Sequence, residues 1–187
     1  DSLRPDAPQT IEQLQKLGLN TVLLTGDRSE VAQAIAQKLN LAQTFSEVKP
    51  EDKAQIIQSL QQQGQTVAMI GDGINDAPAL AQADVGISLQ DSTDVAIASA
   101  DIVLMQNQLE DVLKSIQLSR ATVNKIKQNL TLALAYNVFA IPIAAGILFT
   151  QYGLLLSPVL AAVAMASSSL IVVTISLLLN FNLSKLQ

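Results

Sequence analysis

Residues 67–78 read VAMIGDGINDAP, and this stretch decides how the rest of the chain is interpreted. Its first four residues are apolar and have the length of a buried parallel strand. Gly71 and Gly73 then allow a sharp turn, and Asp72 and Asp76 place two carboxylates just beyond the strand. Open α/β sheets bind ligands at the carboxyl ends of their strands, so the pattern predicts a ligand site at this edge.

The ligand that best suits this site is a hard cation. Asp72, Asp76 and Asn75 offer oxygen atoms, which Mg²⁺ prefers. Because a Mg²⁺ ion held in this way commonly bridges to phosphate, the pattern indicates phosphoryl transfer. The alternative is an Asp-Gly turn whose acids only cap the next helix. The complete GDGxNDxP string is far more specific than such a turn and favours the metal site.

Charge divides the chain into two parts. Up to Asp111 there are 16 acidic and 6 basic residues, whereas the rest of the chain has 5 basic residues and no acid, which gives a net charge of −5. The acidic composition, with 3% aromatic residues, lacks the basic patch of a nucleic-acid-binding protein. The absence of Cys excludes disulfides and thiolate metal sites.

Two apolar runs lie in the second part, at about residues 130–149 and 158–179. Each is long enough to cross a hydrocarbon core of ~30 Å as a helix, and the short connector predicts an antiparallel hairpin in a lipid bilayer. Basic residues before the first run and after the second predict a multi-pass membrane protein with both termini cytoplasmic. A buried helical pair in a large soluble protein is the weaker alternative. The predicted divisions are a globular domain at 1–111, a linking amphipathic helix at 112–129 and two transmembrane helices within 130–182.

The acidic part alternates strands with helices, which predicts an α/β domain with a doubly wound parallel sheet. Neither a GxxxxGK[ST] loop nor a GxGxxG loop after a strand is present. The predicted strands are residues 21–24, 66–70, 84–89 and 101–105, and the predicted helices are residues 29–39, 49–62, 93–98 and 109–127.

Two further segments fit a phosphoryl site at the same edge. Thr25-Gly26-Asp27 ends the first strand, and Lys53 lies in the first turn of a predicted helix. A threonine hydroxyl can donate to a phosphate oxygen, and a lysine ammonium offsets its charge. Thr25 alone would be an ordinary turn residue and Lys53 alone a solvated one. Their combination with the acidic loop favours the functional interpretation.

At this point the sequence closely resembles the P-type ATPases. The segments 25–27 (TGD), 50–53 (PEDK) and 71–78 (GDGINDAP) match the phosphorylation domain of that family, which has the haloacid dehalogenase fold. The resemblance implies that Asp72 and Asp76 belong to a Mg²⁺ site and that Asn75 supports it. Thr25 and Lys53 would contact the phosphoryl group, and Gly26 and Asp27 would belong to the same catalytic site. Residues 1–5 (DSLRP) resemble the family's hinge beside the nucleotide domain, which gives Asp1 and Arg4 a role next to bound ATP.

The ion that such a pump would carry is inferred from the two apolar runs. The first contains Tyr136-Asn137, and the second contains Met165 four residues before Ser169, with Ser168 beside it. A thioether is a soft ligand that suits Cu(I). Such residues also pack membrane helices, and without the resemblance that interpretation would prevail. Similarity to the copper-transporting subgroup favours Cu(I), with Ag(I) as the alternative. Zinc and cadmium pumps of the group carry a Lys and an Asp in these helices, and both runs lack charge.

The family's phosphorylated aspartate, in a DKTGT motif, is absent from this chain, as are its TGE and Cys-Pro-Cys motifs. We therefore expect the C-terminal part of a larger ATP-driven Cu(I) pump, which receives ATP through other domains and has a copper chaperone as a candidate partner. Two alternatives are a haloacid dehalogenase-type phosphatase and a catalytically silent, truncated membrane protein.

Overall fold

A computed structural model describes residues 3–89, 91–106, 108–147 and 149–153, with scattered residues between 157 and 174. The chain divides into two compact units, Asp1–Ser115 and Ile116–Gln187. The first unit carries the strands and the motifs identified above. The predicted boundary after residue 111 lies four residues before this division.

Helices and strands alternate through the first unit. Its helices begin where the sequence supplies start signals, such as Pro50 in the first turn of α3. The helices are α1 (Ala7–Lys16), α2 (Ser29–Leu39), α3 (Pro50–Gln62), α4 (Ala77–Gln82), α5 (Asp94–Ala98), α6 (Glu110–Ala144) and α7 (Phe149–Tyr152). The strands are β1 (Val22–Leu24), β2 (Gln43–Phe45), β3 (Ala68–Gly71), β4 (Val85–Leu89) and β5 (Ile102–Leu104).

The strands form two parallel sheets. β1 pairs with β2, and β4 lies between β3 and β5. The registers place Val22 opposite Gln43 and Ala68 opposite Val85. The predicted parallel α/β fold is confirmed, but the strands divide into two sheets where the sequence predicted one. β1 and β3 are both end strands and are not hydrogen-bonded to each other.

β4 is the most buried strand and forms the centre of the core. Its residues from Gly86 to Leu89 are all buried, as expected for a central strand covered on both faces. Gly86 allows α4 to approach closely, because a Cβ at that position would lie 2.6 Å from the Leu80 carbonyl oxygen. The buried apolar residues that complete this core include Ala32, Ile57, Leu60, Leu80, Ile87, Ala96, Leu104, Val112 and Leu113.

An aspartate lies immediately before each of the last two strands, and its side chain accepts a backbone hydrogen bond from an earlier segment of the sheet. Asp84 accepts a hydrogen bond from the Val67 backbone N–H at 2.8 Å, and Asp101 accepts one from the Gly86 N–H at the same distance. The Val67 bond is the main reason that the pKa of Asp84 lies below its ordinary value. The same arrangement therefore occurs at the start of both β4 and β5.

The predicted elements of the first unit are largely confirmed, with three omissions. The helix predicted at residues 29–39 is α2, and those at 49–62 and 93–98 match α3 and α5 within one residue. The sequence analysis did not include α1, β2 or α4. β2 reads QTF and has two polar residues, so it lacks the apolar run by which the equally short β1 (VLL) and β5 (IVL) were predicted.

The long helix α6 contains the predicted linking helix and the first part of the predicted first span. It continues without a break to Ala144, and Gly146 then adopts a positive φ of 87°. The span predicted at 130–149 is therefore helical only to residue 144, followed by a turn and α7. Within the described residues, no helix combines the length and the apolar character that crossing a membrane requires. Most of the second predicted span, at 158–179, lies outside the described residues.

Candidate functional site: the acidic loop after β3

The loop after β3 is closed by its own second aspartate. The Asp76 N–H donates to the Gly73 carbonyl at 3.0 Å, and the Gly73 N–H donates to Asp76 Oδ2 at 3.4 Å. Gly71 is buried, and a Cβ there would lie only 2.7 Å from the Asp76 Cβ. Because real Cβ atoms do not approach so closely, position 71 requires glycine while Asp76 keeps this position.

Lys53, in the first turn of α3, reaches Asp76 from a distant part of the sequence. Its Nζ lies 2.6 Å from Asp76 Oδ1, and the two side chains are only 14% and 13% exposed. A partly buried, charge-assisted bond of this length fixes both side chains more firmly than a surface ion pair does. The structure thus brings together two of the motifs that the sequence suggested, PEDK and GDGxND.

Asp72, by contrast, lies on the open side of the loop. It is exposed, whereas Asp76 is half-buried. The Asp72 backbone carbonyl accepts a hydrogen bond from the Thr93 N–H at 3.2 Å. Thr93 also caps α5 by accepting from the Ala96 N–H at 3.4 Å. The start of α5 therefore holds the backbone that carries the Asp72 carboxylate. The sequence analysis did not assign this supporting role, although a Thr before a short helix is a recognisable capping signal.

The loop after β1 forms a separate hydrogen-bonded turn. The Thr25 hydroxyl donates to Asp27 Oδ2 and accepts from the Asp27 N–H, both at 3.1 Å. The Val48 N–H donates to the Thr25 carbonyl at 3.1 Å, and a Cβ on Gly26 would lie 3.3 Å from the Val48 carbonyl oxygen. Since β1 and β3 belong to different sheets, backbone pairing alone does not bring this loop to the acidic loop.

The donor atoms of the acidic loop fit a Mg²⁺ ion. Among the described residues no three His, Cys, Asp or Glu side chains cluster, so an all-protein cage is not present in that part of the chain. Mg²⁺ does not need one, because it is commonly bound through one or two carboxylates together with water and substrate phosphates. Asp72 offers an exposed carboxylate, while Asp76 already neutralises Lys53. Asn75 lies exposed between them in a 3₁₀ turn, Ile74–Asp76.

The remaining predicted site residues lie outside this loop. Arg4 is half-buried, and its carbonyl accepts a hydrogen bond from the Ala7 N–H at 3.1 Å. Tyr136 and Asn137 lie in α6, half-buried and exposed respectively. Asp1, Met165, Ser168 and Ser169 lie outside the described residues.

Comparison with known proteins agrees with the motifs. A family model described as haloacid dehalogenase-like hydrolase matches residues 1–84. A protein of Synechocystis named "Probable copper-transporting ATPase PacS" is 53% identical over 174 residues, 93% of this chain and 23% of that protein. The "Copper-exporting P-type ATPase" of Vibrio cholerae is 52% identical over 174 residues, 93% of this chain and 19% of that protein.

A solved structure extends the agreement to three dimensions. A zinc-transporting PIB-type ATPase in its E2.Pi state superimposes with a TM-score of 0.82 at 38% identity, over 96% of this chain and 28% of the other. The chain belongs to the P-type ATPases. It spans about a fifth to a quarter of the length of the two relatives described above. The loop after β3, with its GDGIND string, lies within the residues that the haloacid dehalogenase-like family model matches.

Proposed function

We propose that this chain forms part of an ATP-driven Cu(I) pump and contributes the Mg²⁺ and phosphoryl-binding half of its catalytic site. The observation that carries the proposal is the Lys53–Asp76 pair, 2.6 Å long and largely shielded from water. It holds an ammonium group against the loop after β3, whose other carboxylate, that of Asp72, is exposed. This is the combination of charges that a phosphoryl group with a divalent cation requires.

Each residue would have a distinct task. Asp72 would hold the Mg²⁺, together with phosphate oxygens and water, and Asn75 would support it. Bound Mg²⁺ would neutralise charge that develops on the phosphoryl oxygens. Lys53 would offset charge on the phosphoryl group, and Asp76 would keep the Lys53 ammonium in place. The Thr25 hydroxyl, which donates to Asp27 at 3.1 Å, would exchange that exposed bond for one to a phosphate oxygen.

The nucleophile would come from another segment of the parent protein, since this chain contains no DKTGT motif. The arrangement of the strands supports this division. β1 and β3 are both end strands, and the loops that follow them carry the proposed phosphate and metal ligands. We therefore infer that ATP and the phosphorylated aspartate reach this site from parts of the parent outside the chain, with Asp1 and Arg4 beside the nucleotide.

The transported ion would be Cu(I), with Ag(I) as the alternative. The support is the copper-related names of the relatives and the soft thioether of Met165, in a run without charge. Tyr136, Asn137, Ser168 and Ser169 would add uncharged polar groups. The apolar side chains on α6, such as Val138 at 62% and Phe139 at 70% exposed, would contact lipid or further helices in a multi-pass membrane protein with cytoplasmic termini. A copper chaperone would supply the ion.

The catalytic assignment is tested by phosphoenzyme formation from ATP in the full-length protein. Asp72→Asn removes the exposed carboxylate and should reduce the phosphoenzyme by about 100-fold, the scale at which a preorganised electrostatic group acts. Lys53→Met and Asp76→Asn should each reduce it. The double variant should be little worse than either single variant, because the two residues act as one unit. Glu51→Gln, an exposed acid of the same helix turn, is the matched control. A normal phosphoenzyme level in Asp72→Asn would refute the assignment.

A further inference from the structure

Asp6 binds the beginning of a helix more than one hundred residues away. Its Oδ2 accepts a hydrogen bond from the Leu109 N–H at 2.7 Å and a longer one from the Glu110 N–H at 3.4 Å. Both donors lie at the N-terminal end of α6, which begins at Glu110. Asp6 therefore acts as the capping residue of α6, although in sequence it is the residue just before α1.

The carboxylate is available for α6 because α1 does not need it. Asp6 occupies the capping position of α1, but its side chain makes no capping hydrogen bond to that helix. The Ala7 N–H already donates to the Arg4 carbonyl at 3.1 Å, and the next residue, Pro8, has no N–H. The first turn of α1 thus leaves few unpaired amides, and its acidic residue can serve another helix.

Among the described residues next to its start, α6 has no side chain of its own in the usual capping role. The residue before its first turn is Leu109, which cannot accept a hydrogen bond through its side chain, whereas Ser, Thr, Asp or Asn usually stands there. The next two amides are paired locally, Asp111 with Gln108 and Val112 with Leu109. The Asp6 carboxylate accepts hydrogen bonds from the two preceding amides, those of Leu109 and Glu110.

The bonded end of α6 is also the end that is packed into the core. Val112 and Leu113 are 1% and 4% exposed, and they are the buried residues of this helix among those described. From Ile116 onward the same helix belongs to the second compact unit. The Asp6 bonds therefore lie within the first unit, a few residues before α6 leaves it.

We propose that Asp6 is a positioning residue that fastens α1 to the start of α6, so that movement of the first unit is passed to the whole of α6. The coupling role rests on the proposed function, in which the first unit carries the phosphoryl site and α6 leads toward the copper path. Among the described residues, the Asp6 carboxylate bonds to the Leu109 and Glu110 amides, and neither amide belongs to the acidic loop. Loss of this carboxylate should leave phosphorylation intact and weaken transport.

The two hydrogen bonds from the start of α6 to Asp6 are tested by amide hydrogen exchange, a measurement that does not depend on activity. In the full-length protein, Asp6→Ala should speed exchange of the Leu109 and Glu110 amides by about 5- to 30-fold, the factor that corresponds to the loss of a helix cap. Asp6→Asn, which keeps an oxygen acceptor but loses the charge, should change it in the same direction by less. Glu12→Ala is the matched control, since it removes an acid of α1 that pairs with the exposed Lys16. Unchanged exchange in Asp6→Ala would overturn the proposal.

The coupling is measured by two activities of the same variants. Asp6→Ala should keep phosphoenzyme formation within about twofold of the unmodified protein while copper-stimulated turnover falls at least about fivefold, the lower end of the range for a lost cap. A parallel fall of both activities would overturn the proposal. Absence of phosphoenzyme in the unmodified protein would instead count against the proposed function, and the exchange result would still decide the fastening.

A rescue variant separates fastening from simple capping. Asp6→Ala combined with Leu109→Asp supplies α6 with a local cap but does not restore the connection to α1. Slow exchange should return in this double variant, and turnover should stay low. If turnover returns as well, Asp6 is only a cap and the coupling role is wrong.

Discussion

Gly71 shows how tightly the acidic loop is built at the level of single atoms. The position that its Cβ would occupy is 2.7 Å from the Cβ of Asp76, whereas a Cβ on Gly73 would lie 3.6 Å from the nearest atom, an Asp76 carboxylate oxygen. The two glycines of the GDG string therefore have different roles. Gly71 makes room for Asp76, which holds Lys53. A side chain at position 73 would make only ordinary van der Waals contact with Asp76.

This difference predicts that one of two matched substitutions destabilises the protein and that the other has little effect. Gly71→Ala should push Asp76 away and destabilise the first unit by about 1–3 kcal/mol, the usual cost of overpacking. Gly73→Ala, in ordinary van der Waals contact and at a negative φ, should change stability by about 0.5 kcal/mol or less. The thermal unfolding midpoints of the two variants provide the measurement. Equal midpoints would show that the loop can relax around the added methyl group.

The same loop shows where motif analysis reaches its limit at the residue scale. The sequence predicted that Lys53, Asp72 and Asp76 belong to one site, and the structure brings Lys53 to Asp76. The sequence did not predict that the two acids differ: Asp76 is paired and half-buried, whereas Asp72 is exposed. That difference depends on where α3 lies relative to the loop, which is a tertiary property with no local signal.

At the scale of elements, α6 carries the prediction of membrane topology. Its apolar side chains beyond residue 130 are mostly exposed, and no acid follows Asp111 to oppose the orientation set by the basic residues. A reporter fused after Gln187 should therefore lie in the cytoplasm, and one inserted at residue 151 should lie on the opposite side. A reporter after Gly64, in an exposed turn of the first unit, is the cytoplasmic control. A C-terminal reporter outside the cytoplasm would contradict the hairpin.

The elements that sequence analysis missed have identifiable physical reasons. α4 was overlooked because its six residues are too few to show a helical periodicity and the first two belong to the GDGINDAP string, although Pro78 stands in its first turn. α1 carries a start signal, Asp6 followed by Pro8, that the analysis did not use. β2 had no usable signal, because its QTF sequence contains no apolar run, unlike the equally short β1 and β5. The long helix was predicted because its charged and apolar segments each favour a helix.

At the scale of the whole molecule, phosphoryl chemistry and copper selection should be separable by mutation. Met165→Leu removes a soft sulfur ligand but keeps most of the packing volume, so copper-stimulated turnover of the full-length protein should be lost. Phosphorylation from inorganic phosphate should persist. Met105→Leu is the matched control, because Met105 is 71% exposed in the first unit and should tolerate the change. Normal copper-stimulated turnover in Met165→Leu would identify Met165 as a packing residue.

The two aspartates that precede β4 and β5 have a consequence for how the sheet assembles. In a strand, successive side chains point to opposite faces, so a slip of one residue would turn the buried residues of β4 toward the wrong side. Asp84 binds the Val67 amide and Asp101 binds the Gly86 amide, which ties the residue just before each new strand to one amide of the previous segment. The carboxylates thus add a side-chain restraint to the backbone pairing and favour the observed register of β4 on β3 and of β5 on β4.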